Sequence, residues 1–379
     1  MPNDERLLCR RTVIRVETRD ESSYGALRFY GRSIVGFADA GPIEGVIMSM
    51  SPQTSASRSS GLGGPTRALL LAGSLRTARA APLAAALGIP TAALPIDGKA
   101  CVLSWWLCEL LQRGLADHVS VAIADEADRI FYERIAAEWG CEQRFSVWVD
   151  RAPHRGAGGT VRDYCDEQSQ GELERGILVV ECSTFGAFEL GHFLGAIEPA
   201  SEATVLATAA GQPCGVMHLT AKAVSRIPTI GYFDLKEQLL PALATQGGIV
   251  PAIQTPIVPH RISDLRSYLA LVAGQAQGAA SPASSTESST ASSTASSLVS
   301  ESAEIQGGAN VASDVLVGRG VQVHAGAVVV GSVLMPGAIV GRDAIVARSV
   351  IPPGSRVPAG ARVIDEVFAS LGESERGRS

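Results

Sequence analysis

An apolar branched residue returns at every sixth position from Ile305 to Val363. Ile305, Val311, Val317, Val323 and Val329 form one register. After a four-residue step, Val333, Ile339, Ile345, Ile351, Val357 and Val363 form a second. Period six is neither a helix period nor a simple strand period. It predicts a hexapeptide left-handed parallel β-helix, in which each hexad is one flat side of a triangular coil. The recurring residue points into a narrow core, which suits Val and Ile. Gly307, Gly308, Gly326, Gly331, Gly337, Gly341, Gly354 and Gly360 lie between the apolar posts, where the corners fall. Eleven hexads make fewer than four coils.

The chain has 379 residues, enough for more than one domain. Before the repeat, Gln275 to Ser302 is almost all Ala, Ser, Thr and Gly. Such a stretch buries too little apolar surface to offset chain entropy, so residues 275–302 are expected to be a flexible tether. Residues 1–50 form an N-terminal extension with no readable fold, and the Ser/Gly-rich residues 51–66 read as a linker. From Arg67 to Gly274 the pattern is α/β. Apolar runs at Ala68–Leu71, Val119–Ala124, Phe145–Val149, Gly176–Val180 and Ala203–Thr208 predict buried strands. Helices are expected over Val102–Gln112, Ala127–Trp139, Val161–Asp166, Lys236–Leu243 and Asp264–Ala273. The alternation predicts a parallel sheet covered on both faces. Residues 303–365 are the β-helix and 366–379 a charged tail.

The net charge of −6 argues against a nucleic-acid partner, which needs a basic face. No apolar run is long enough to span a bilayer, and the charged segment Met1–Arg11 lacks the apolar core of a secretory signal. The seven cysteines include no C-x-x-C pair, which fits reduced thiols and a cytoplasmic location.

Four segments carry candidate chemistry. They are Leu71-Ala72-Gly73-Ser74-Leu75-Arg76-Thr77, Leu94-Pro95-Ile96-Asp97-Gly98-Lys99, Gly156-Ala157-Gly158-Gly159-Thr160 and Val179-Val180-Glu181-Cys182-Ser183. A strand that ends in a glycine turn offers backbone N–H groups to phosphates. A second glycine turn at the carboxyl ends of the sheet admits a flat base against bare backbone.

In this order, with a β-helix behind them, the segments resemble the sugar-1-phosphate nucleotidyltransferase (NDP-sugar pyrophosphorylase) family. The resemblance implies a Rossmann-like domain that joins a nucleoside triphosphate to a sugar 1-phosphate, with release of pyrophosphate and use of Mg²⁺. By that resemblance Leu71, Ala72, Gly73, Ser74 and Thr77 hold the nucleotide's phosphates, and Gly156, Gly158 and Gly159 admit its base. Arg76 or Lys99 neutralises charge, and Glu181, Ser183 or Asp264 stands near the metal. The sequence departs from the family pattern at several of these positions. Ser74 and Arg76 replace glycines, Ala78 replaces an arginine, Thr91 a lysine, Ala157 a threonine, and Ser183 a metal-binding aspartate. A serine hydroxyl is a poor ligand for a hard cation. Two further readings therefore stand beside the enzyme. One is a regulatory or scaffold subunit that binds a nucleotide sugar. The other is a hexapeptide acyltransferase with His324 as general base. Flat β-helix faces and exposed coil ends predict a homo-oligomer.

Overall fold

The structure is a computed structural model and describes residues 12–13, 67–72, 81–169, 171, 173–185, 190–195, 197, 204–209, 212–245, 251–254, 260–280 and 298–369. Its contacts divide the chain into two compact units. The first falls within Met1–Ile43, Ala56–Ser74 and Trp106–Pro259, and the second within Glu44–Ser55, Leu75–Trp105 and His260–Ser379.

The strands of the first unit are β1 (Thr12–Val13), β2 (Arg67–Leu71), β3 (His118–Ile123), β4 (Phe145–Val149), β5 (Ile177–Glu181), β6 (Thr184–Phe185), β7 (Val205–Ala209), β8 (Gln212–Leu219) and β9 (Pro251–Gln254). Eight of them form one sheet in the order β1-β9-β7-β8-β5-β2-β3-β4. The block β5-β2-β3-β4 is parallel, as the alternation of strands and helices implies. The sheet as a whole is mixed, which corrects the expectation of a parallel one. β8 runs antiparallel to both β5 and β7. β7 and β8 are separated by too few residues for a crossover, so they can only pair as a hairpin.

The helices include, in chain order, α1 (Ala81–Leu87), α2 (Val102–Leu107), α3 (Arg129–Glu138) and α4 (Gly156–Glu167), with the longer helix Leu265–Ala280 later in the chain. Alternate strand residues Leu69, Leu71, Ile177, Val179, Met217 and Leu219 pack with Val161, Tyr164 and Cys165 of α4 and with Leu235, Leu239 and Leu240. The intervening residues Ala68, Leu70, Val121, Leu178, Val180 and Val216 are buried on the other face. Central strands covered on both sides read as continuous apolar runs for this reason. The Tyr164 hydroxyl lies 2.7 Å from the Ser120 hydroxyl and fixes α4 against β3.

The second unit holds the β-helix. Three sheets of short parallel strands form its sides. Val317, Val323, Val329, Leu334, Val340, Val346, Ile351, Val357 and Val363 line its core. Val317 pairs with Leu334, and Leu334 with Ile351. Backbone and side-chain bonds between coils repeat at a separation of 17 residues there, against 18 in the first coil. This corrects the second register read from sequence. The core residues are Leu334, Val340 and Val346, and their neighbours Ile339 and Ile345 lie half-buried outside it. One side of each 17-residue coil is a residue short, so its corner turns tightly. Gly331, Arg348 and Asp365 occupy that corner with φ of 55°, 49° and 59°. At the same side Ser332 and Ser349 are fully buried but satisfied, because the Ser332 hydroxyl donates to Val330 O and accepts from Ser349 N. The helix Leu265–Ala280 precedes the β-helix and continues six residues past Gly274, into the stretch read as tether.

Candidate functional site

β2 continues to β3 on one side, while β5 pairs with its other side. The winding therefore reverses between β2 and β5, and in open α/β sheets ligands bind at that crevice, outside the carboxyl ends of the strands. Leu71 ends β2 directly beside Glu181, which ends β5. Leu71 is buried, and Ala72 N–H donates to Ala122 O at 2.9 Å, so the chain leaves β2 from a fixed point. Gly73, Ser74, Arg76 and Thr77 lie outside the described residues.

Glu181 forms an ion pair with Lys236. Both side chains are largely buried, at 17% and 28% exposure, so the pair is less screened than one in open water. Lys236 is held from behind. Asp234 caps its π-helical turn (Leu235–Leu239) by accepting from Lys236 N–H at 2.7 Å and Glu237 N–H at 2.9 Å. Leu235 and Leu239 on either side of it are buried in the core. Gly215 of β8 completes the corner with φ of 82°. A Cβ there would stand 2.8 Å from Thr184 Oγ1 and 3.2 Å from Glu181 Oε2, so only glycine lets β8 pass this close. Burial pushes the neighbouring Cys214 thiol up to about 12, which makes it inert as a nucleophile.

The strand ends at Glu181 and the chain turns at Cys182–Ser183, so strand alternation does not carry Ser183 onto Glu181's face. Ser183 is fully buried, and its hydroxyl has no hydrogen-bond partner among the described residues. Asp264 lies in the second unit and caps the helix Leu265–Ala280, accepting from Ser267 N–H at 2.8 Å. That bond holds its carboxyl below the usual carboxylate range. These three residues do not fit Mg²⁺. One carboxylate is occupied by an ammonium, the hydroxyl is neutral and enclosed, and the other carboxylate is committed to a cap. Among the described residues no group of three or more His, Cys, Asp or Glu side chains is placed to hold a metal ion.

The glycines at 156–159 form the first turn of α4. Phe233 O accepts from Gly158 N–H at 2.9 Å, and Phe233 N–H donates to Arg155 O at 2.8 Å. A Cβ on Gly156 would stand 2.7 Å from the Tyr232 ring, and one on Gly158 2.7 Å from Phe233 O. The close approach that these glycines permit is thus taken up by the chain's own Tyr232–Phe233 segment. Asp150, just past β4, locks the same turn. It accepts from Ala152 N–H at 2.8 Å and from the Thr160 hydroxyl at 2.5 Å. A cavity of about 400 Å³ lined by Arg162, Asp166, Gln168, Ile177 and Leu219 opens at the amino end of β5, the wrong end of the strand for this crevice.

In the second unit, Asp97 closes a tight turn by accepting from Lys99 N–H at 2.7 Å, and the exposed Lys99 side chain lies 3.9 Å from Glu301. His324 is half-buried, and its ring has no hydrogen-bond partner among the described residues. Sequence reasoning missed Lys236, Gly215 and Asp150. A lysine two residues after the Asp234 cap is the one signal that pointed to Lys236, because a cation in a helix's first turn opposes the helix dipole and is favoured there by a nearby carboxylate.

Fold and crevice together define a mixed α/β sheet domain followed by a left-handed parallel β-helix. Residues 294–374 match the family model described as the GMPPB C-terminal domain, over the β-helix part of the chain. No curated protein matches the chain. Among the described residues no helix is long and apolar enough to cross a membrane.

Proposed function

We propose that the chain binds a nucleotide sugar as a regulatory or scaffold subunit of the nucleotidyltransferase class, with its β-helix as an assembly module and a second copy of the chain as its partner. The observation that carries this reading is the Glu181–Lys236 pair at the carboxyl end of β5. The family's reaction places a divalent cation between carboxylates and phosphates, and here the carboxylate is neutralised from within the chain. The loss of even one electrostatic stabiliser of a transition state typically costs about 10²–10³ in rate. Ser183 and Asp264 offer no replacement, for the reasons given above.

The second reading is nucleotidyl transfer itself, from a nucleoside triphosphate to a sugar 1-phosphate with Mg²⁺. It is favoured by Leu71 and Ala72, which end the central strand at the switch point and are followed in sequence by Gly73. Pyrophosphate release with Mg²⁺, each nucleoside triphosphate and a panel of sugar 1-phosphates separates the two. The subunit reading expects no release above a blank, together with a thermal shift from NDP-sugars. Saturation at about a hundred times the dissociation constant adds about 2.7 kcal/mol of apparent stability. Turnover with any pair overturns the subunit reading.

A further inference from the structure

We infer that Lys236 is a built-in cation that takes the place of a divalent metal, so that this crevice binds the diphosphate of a nucleotide sugar without Mg²⁺. The inference rests on the nucleotide-sugar-binding reading above and deepens it. A diphosphate at the crevice between β2 and β5 needs positive charge beside it. In a metal site that charge is brought in by an ion and balanced by carboxylates. Here it is supplied by an ammonium that the fold itself holds in place.

Four observations support this. The Lys236 backbone is pinned by the Asp234 cap and by buried Leu235 and Leu239. Its side chain ends on Glu181, and Glu181 stands in register with Leu71, the last residue of β2. An ammonium has N–H donors beyond the one that Glu181 takes, and these can face a phosphate oxygen. Gly215 keeps β8 clear of the pair, since a side chain there would meet Glu181 Oε2. Glu181 is thus a positioning residue for Lys236. A divalent cation would have to expel the ammonium from Glu181, and the Ser183 hydroxyl two residues on is neutral and enclosed.

The test is isothermal titration of the full chain with GDP-mannose and with GDP, in EDTA and in Mg²⁺, for wild type, Lys236→Met and Lys236→Arg. The expected result is equal affinity in EDTA and Mg²⁺ for wild type. Lys236→Met should weaken binding by about tenfold or more, the usual scale for a charge-assisted bond. Lys236→Arg should retain most of it. The melting temperature of each variant without ligand reports whether it is folded. If Lys236→Met does not fold, the wild-type comparison and Lys236→Arg decide the matter. Binding that requires Mg²⁺ overturns the inference and leaves nucleotide-sugar binding standing. Binding unchanged in a folded Lys236→Met also overturns it. No binding under either condition sinks both this inference and the reading beneath it.

Discussion

Glu109 is a buried carboxylate in a π-helical turn (Cys108–Gln112), where Arg113 N–H reaches back to Cys108 O. One oxygen lies 3.2 Å from the Arg113 guanidinium, and the other has no partner among the described residues. Burial pushes the carboxyl up from 4.5 to about 7, against the opposing pull of Arg113. The folded group therefore holds its proton where the unfolded one has released it. Stability falls as pH rises between those two values, and the full penalty is present above the upper one. The shift corresponds to roughly 3 kcal/mol at most. Glu109→Gln keeps the shape and removes the charge. It is expected to raise the denaturation midpoint at about pH 8 and to leave it unchanged at about pH 4. An equal effect at both pH values would show that ionisation is not the cause. Gly158 makes a different demand. A methyl group there would stand 2.7 Å from a backbone oxygen that cannot swing away. Gly158→Ala is expected to cost about 1–3 kcal/mol in urea denaturation, the usual range for overpacking. Loss of nucleotide affinity at unchanged stability would instead favour an open base site at this turn.

At the scale of elements, the β-helix shows how a strong pattern misplaces its own detail. The core runs in repeating steps of six, six and five residues through Val317, Val323, Val329, Leu334, Val340, Val346 and Ile351. Read from sequence, one four-residue step followed by unbroken hexads fits both ends of this run. It puts Val333, Ile339 and Ile345 one position early in between. Both series meet again at Ile351, so the periodicity alone gave no warning. Val340→Ala should therefore destabilise the β-helix clearly more than Ile339→Ala, because only the first empties a packed core position. Thermal denaturation of the two variants checks this, and the reverse order would restore the unbroken hexads. The parallel strands β2 to β5 were legible within a residue or two, because burial on both faces leaves a plain apolar run. β8 was not legible. Its sequence QPCGVMHL mixes polar, proline and glycine residues, and only its pairing between β5 and β7 makes it a strand. The missed part of the crevice came from the same place, since Gly215 lies on β8 and Lys236 follows in a later turn.

At the scale of the whole molecule, two hydrophobic clusters share no residue. One joins β2, β5 and β8 to α4 and the turn at Leu235–Leu239, and the other is the stack of valines inside the β-helix. The motifs that made the α/β half recognisable are backbone motifs, glycines and short apolar runs. They report a fold and say little about charge, which is why the order of segments was readable while the state of Glu181 was not. That state depends on a lysine brought up by the tertiary fold. Separate cores also make a prediction about cooperativity. Leu334 is fully buried among Val317, Val323 and Val340, and Leu334→Ala should cost about 2–5 kcal/mol locally. If each core is its own cooperative unit, hydrogen exchange in this variant speeds up at β-helix amides such as Val323, Val340 and Val357. Amides of Leu70, Val121 and Val179, in the centre of the α/β sheet, should keep their wild-type protection. Faster exchange at both sets would mean that the cores unfold together. The β-helix would then contribute directly to the stability of the crevice that holds Glu181 and Lys236.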